Sequence, residues 1–281
     1  MTTTPPDSFP ATPLAGDTSP GADETVLVID EAGVSPHRRK FLSAYFGLSI
    51  IGVGAIATFI ALVGGPGLPK AKAWSDWKPK SGSALAMATS IADHVAHEYR
   101  LDDGSQLVAV LPGKPPQITS GTSKVAVSAI AVRKVPQSNT GLTFYNADSS
   151  VQYVLCGLGA SCAIDSGTPS TTRGRLVRRE ALELALYTFK YVSGVDSVVA
   201  FLPPANSSVS VPIVFLKKST FATQLKQPLN ETLQLSTPPS PSAPDAIEAK
   251  TIDDLTLSSV FTYGIAQLQN GGVAMVLDPA T

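Results

Sequence analysis

The run Phe41–Val63, FLSAYFGLSIIGVGAIATFIALV, carries no charged side chain over 23 residues and constrains the chain more than any other feature. As a helix rising 1.5 Å per residue it spans roughly 34 Å, slightly more than the hydrocarbon core of a bilayer. A core helix of this length would need a polar stripe, and the run has none. A cleaved signal peptide is the main rival, since Ala71-Lys72-Ala73 has the small-x-small form of a cleavage site. The long polar lead and the length of the run argue against cleavage, because the apolar region of a signal peptide extends over roughly 7–15 residues. An uncleaved signal anchor over residues 40–64 is therefore expected, making the chain a single-pass membrane protein.

That span divides the rest. Residues 1–39 read as a cytoplasmic tail: Met1 to Pro36 holds six acidic side chains, no Lys or Arg, and many Pro, Thr and Ser. Such a composition cannot bury enough apolar surface to offset its ordering entropy, so disorder is expected. Residues 65–80 read as a membrane-proximal linker. Gly64-Gly65-Pro66-Gly67 breaks the helix, and Trp74 and Trp77 among lysines suit the headgroup layer. Residues 81–281 form the extracytoplasmic domain. Basic residues flank the span on both sides, Arg38, Arg39 and Lys40 before it and Lys70, Lys72, Lys78 and Lys80 after it. The first cluster abuts the helix, and long C-terminal domains translocate with little regard to charge, which puts the N-terminus inside. Cys156 and Cys162 agree: five residues between two apolar runs suit a disulfide, and a lasting disulfide implies an oxidising compartment.

Within the domain, Leu85, Ala88, Ile91, Ala92, Val95 and Tyr99 recur at helical spacing, and a second helix is expected over Arg175 to Val192. Strands are expected at Gln106–Leu111, Val125–Val135, Leu142–Asn146, Val151–Cys156, Cys162–Ile164, Ser197–Leu202 and Val209–Lys217. A weak helix near Phe221–Leu233 and a proline-rich loop over Thr237–Asp245 precede a hairpin, Val260–Leu268 and Val273–Leu277, turning at Gln269-Asn270-Gly271-Gly272. Consecutive strands joined by short turns predict an α+β domain, mainly antiparallel, with two or three helices.

Chemical motifs are sparse. The formal net charge of -1 gives nucleic acid no bulk attraction. There is no GxSxG elbow and no GxxxxGK or GxGxxG phosphate loop, and Ser75-x-x-Lys78 lies outside the domain's helices. Asp102-Asp103 and Asp253-Asp254 read as a turn and a helix start. His94 and His97, beside Asp93 and Glu98, are weak metal candidates at i, i+3 on the solvent face of the first helix, and no metal or other cofactor is implied.

The stretch from Ser166 through Thr172, Arg173 and Arg175 into Arg178 and Arg179 is more informative. Cations at a helix N-terminus oppose the macrodipole unless an anion sits there, and hydroxyls, free N–H groups and guanidinium forks suit a phosphate or carboxylate. Arg178 falls on the apolar stripe of Ala181, Leu182, Ala185 and Phe189; Arg175 and Arg179 fall toward its edge. In the membrane span, Ser43, Gly47, Gly54, Thr58 and Ala61 are spaced to let another helix approach, a route to homo-oligomers. The expected function is a non-enzymatic binding or scaffold module held in the bilayer among other membrane or envelope proteins. The alternatives are a membrane-anchored enzyme acting on an anionic substrate and a receptor coupling the outer domain to the tail.

Overall fold

A computed structural model describes residues 72–120, 123–136, 141–159, 162–163, 170–204, 211–234, 236–240 and 246–280. No helix among them is long and apolar enough to cross a membrane. The expected span Phe41–Val63, with Ser43, Gly47, Gly54, Thr58 and Ala61, and the expected tail lie outside the described residues.

The compact unit is Ala71–Thr281, an α+β fold. Helix α1 (Ala84–Glu98) starts because the Ser83 hydroxyl accepts from the Ala86 N–H, and it buries Ala88, Ile91, Ala92 and Val95 at helical spacing. Helix α2 (Thr171–Tyr191) begins four residues before the expected Arg175, since the Ser170 side chain caps the Arg173 N–H. It ends where Gly194 takes φ +70°, a left-handed conformation that suits glycine. Helix α3 (Ala246–Thr256) was not expected, and it carries Asp253 and Asp254 in its last turns, which corrects their reading as a helix start. The weak helix near Phe221–Leu233 is instead two single 3-10 turns, Lys218–Phe221 and Leu229–Glu231.

The strands are β1 (Ala109–Gly113), β2 (Gln117–Ser120), β3 (Ser123–Ala126), β4 (Ala129–Arg133), β5 (Leu142–Asn146), β6 (Ser150–Cys156), β7 (Ser197–Phe201), β8 (Ile213–Lys217), β9 (Val260–Gln267) and β10 (Val273–Pro279). Eight form one sheet in the order β1-β6-β7-β8-β9-β10-β4-β5, while β2 and β3 pair as a separate hairpin. Within the large sheet only β6 with β7 and β4 with β10 run parallel; the other five pairings are antiparallel. The first parallel pair is a β6-α2-β7 crossover, which explains why β7 is apolar from Val198 to Phe201: it is buried on both faces. The expected strand Val125–Val135 divides into β3 and β4 at Val127-Ser128. Cys162 sits in a turn with φ +62°, not in a strand.

One face of the sheet carries the helices. Helix α1 rests on β1 and β6, α2 on β6, β7 and β8, and α3 on α2. The opposite face closes on itself: the sheet curls until Tyr145 of β5 meets Phe215 of β8 at 5.1 Å between ring centres, over a core of Ile130, Val199, Ile213, Phe261, Met275 and Leu277. Residues 72–80 of the expected linker are also part of the fold. Trp74 is 8% exposed, its indole N–H donates to the Gln224 carbonyl at 3.0 Å, and its own carbonyl accepts from Leu229 at 2.7 Å. The headgroup placement of Trp74 is thereby corrected: burial against Tyr187 and Tyr191 satisfies the ring within the protein.

Candidate functional site

The arginine-rich start of α2 faces α3, and the two helices meet through charge. Arg175 donates from Nε at 2.9 Å and from Nη2 at 2.7 Å to one oxygen of Asp253. Arg178, 14% exposed, donates from Nη2 to the other oxygen and from Nε to the Thr256 hydroxyl at 3.0 Å. The hydrogen bond from Arg175, with Arg178 adding to it, holds the Asp253 carboxyl below the usual carboxylate range. Two guanidinium groups thus share one carboxylate, leaving one positive charge in surplus where Arg175 reaches the surface. A small cleft of about 20 Å³ lies there between Thr172, Arg175, Ser240 and Ala249.

Arg179 corrects its placement toward the stripe edge. It is the largest fully buried side chain among the described residues, forming a bidentate pair with Glu248 at 2.7 and 3.1 Å and donating to the Tyr99 hydroxyl at 2.8 Å. Tyr99 donates in turn to Glu183 at 2.7 Å. Burial opposes the Arg179 charge, but Tyr99, Glu248 and Glu183 outweigh it and keep the guanidinium charged. Arg173 is also buried, at 5% exposure. The sequence brought the cluster into view; burial makes most of it a clamp between helices.

Beside this network lies a group that sequence reasoning passed over. Glu180, in α2, is fully buried and neither carboxylate oxygen has a hydrogen-bond partner among the described residues. Burial, and then the neighbouring Glu183, push its acid well above the ordinary carboxylate range. Its signal was an acidic residue, one of two with Glu183, on the largely buried stretch Leu176 to Phe189.

The histidines do not converge on a metal site. His97 is exposed, whereas His94 is half-buried and stacked on Trp77 at 3.9 Å, with Tyr187 edge-on at 5.7 Å. Its expected solvent-facing position is corrected, because Trp77 folds back over that side of α1. Desolvation lowers the His94 pKa. Among the described residues no cluster of three or more His, Cys, Asp or Glu could hold a metal ion. The Ser75 hydroxyl engages Tyr191 at 2.9 Å and the Trp77 carbonyl.

Cys156 and Cys162 are bridged, with Cα atoms 4.4 Å apart, just beyond the end of β6. A surface feature accompanies the bridge. Beyond β8, the helix-side face of the sheet continues through Gly264, Val276, Ala131 and Phe144, which stand in one row across β9, β10, β4 and β5. Phe144 is 59% exposed there. An exposed aromatic ring on the edge strand β5 offers an apolar point of contact. No family model, no curated protein and no solved structure matches the chain.

Proposed function

We propose that this chain is a single-pass membrane protein whose α+β domain lies outside the cytoplasm as a binding or scaffold module in a membrane or envelope assembly. The tail of residues 1–39 is then cytoplasmic, and the small-residue face of the membrane span serves self-association. One observation carries the reading: the bridged Cys156–Cys162 pair follows an uncharged 23-residue run, and a lasting disulfide belongs to an oxidising compartment. The row ending at Phe144 offers the partner-facing surface.

Protease added to intact cells should remove the domain and spare the tail. Cutting of the tail with the domain protected refutes the topology. Partner contact is tested by a photo-crosslinking side chain at position 144: a single adduct with another envelope protein or a second copy supports it, and no adduct removes Phe144 from the surface.

A second reading has one observation behind it, the Arg175 and Arg178 pair sharing Asp253 beside an open cleft. That surplus charge suits an anionic ligand of a membrane-anchored enzyme. Calorimetric titration with inorganic phosphate should then show binding that Arg175→Gln abolishes.

A further inference from the structure

The start of the domain is not a passive strap. Residues 72–80 wrap Trp74 into the core and carry Lys72, Lys78 and Lys80, all exposed. The elements that grip Trp74 add two more exposed lysines. Lys190, in the last turn of α2, holds its ammonium 5.5 Å over the Trp74 ring and donates to the Leu225 carbonyl at 2.8 Å; Lys226 follows directly. Exposed acids at the same place are Asp76, Glu231 and, on α1 beside His94, Asp93. Cations therefore exceed anions on this surface, although the whole chain has a net charge of -1.

Covalent length limits where that surface can go. Nine Cα–Cα steps separate Val63 from Lys72, so a fully extended chain spans only about 30 Å between them. A basic patch tethered that close to a bilayer feels the negative potential of anionic lipid, which decays over roughly 10 Å at 0.1 M salt.

We propose that the lysine surface around residues 72–80, completed by Lys190 and Lys226, docks the domain onto the anionic lipid headgroups of the membrane that anchors it. This rests on the membrane-anchored reading above. The indoles serve a different purpose from lipid insertion: Trp74 is a core residue, and it positions Lys190 beside the linker lysines. Trp77, half-buried against His94, is the edge of the surface nearest the headgroups.

The chain has only two tryptophans, Trp74 beneath this surface and Trp77 at its edge, so fluorescence excited selectively at tryptophan reports on this region alone. The full-length protein is reconstituted into vesicles of phosphatidylcholine, with or without phosphatidylglycerol, containing lipid with a headgroup nitroxide as contact quencher. Quenching is expected in anionic vesicles, and 0.5 M salt or neutral lipid should remove it. Each lysine at such a surface is worth roughly a fivefold change in docking, so Lys72→Gln, Lys78→Gln and Lys80→Gln together should reduce the docked fraction by about a hundredfold in equilibrium constant. All three side chains are exposed, and an unchanged melting temperature confirms that the triple variant is folded. Equal quenching in neutral and anionic vesicles, or quenching that survives the triple substitution, overturns the docking. Release of the chain by alkaline carbonate overturns the membrane anchor itself, so the two failures are distinguishable.

Discussion

Replacing Glu180 with Met should stabilise the domain, contrary to the usual outcome for a fully buried position. The wild-type carboxyl has no exposure and no hydrogen-bond partner among the described residues, so folding strips its water without replacing it. An unsatisfied buried polar group of this kind costs about 1–3 kcal/mol, and Met fills a similar volume with comparable helix propensity. A domain of this size gains roughly 2–4 °C per kcal/mol, which makes the expected rise in Tm about 2–12 °C. The effect should also depend on pH. The Glu180 acid is raised in the folded state, so above its unfolded value the unfolded chain releases the proton first. Wild-type stability therefore falls as pH climbs from the ordinary carboxylate range toward the raised folded value. The Met variant should show a shallower fall; Glu183, also raised by burial, keeps a residual slope of the same sign. Urea denaturation of both proteins from pH 4 to pH 9 measures each effect. A destabilised variant with an unchanged pH slope would show that Glu180 is satisfied in solution, and the reasoning would fail.

Reduction of Cys156–Cys162, or Cys156→Ala with Cys162→Ala, should lower stability by roughly 2–3 kcal/mol in the chain-entropy model, read as an earlier melt; two titratable thiols in the exported protein would contradict the bridge. Asp253→Asn should cost about 1–3 kcal/mol, since it leaves Arg175 and Arg178, neighbours on α2, without the carboxylate that α3 supplies, and denaturation in 1 M salt should recover part of the loss. Because the Asp253 pKa is depressed when folded, its contribution is complete above the unfolded value and disappears as pH falls through the lowered one; the Asn variant should lack that acid limb. Arg178→Lys should keep the charge and lose the hydrogen bond to Thr256, costing about 1 kcal/mol, and no change in melting would mean the residue is merely solvated.

Periodicity located what is periodic. The α1 stripe, β5 at Leu142–Asn146 and the β9–β10 hairpin are legible because apolar spacing and the Asn270-Gly271 turn are local signals, with Gly271 at φ +82°. Sheet order is different: β10 lies between β9 and β4, and nothing near Val273 states that its second partner is more than a hundred residues earlier. Helix α3 was missed because, among its described side chains, Ile252 is the one fully buried apolar residue, while Glu248 and Thr256 supply the rest of the buried face. A helix held by polar groups leaves no hydrophobic stripe to read.

The same fact explains why the arginine cluster looked like a ligand site. Four arginines at the start of a helix oppose its dipole, and the sequence offers no clue that the compensating carboxylates lie some seventy residues later. Helix α3 delivers them: Glu248 to Arg179, and Asp253 to Arg175 and Arg178. What resembles anion recognition by a ligand is thus satisfied mostly from within. Only the charge left over when two arginines share Asp253 is available at the cleft. The chemistry read from Arg173 to Arg179 was sound as electrostatics, and the missing element was a partner helix without an apolar pattern.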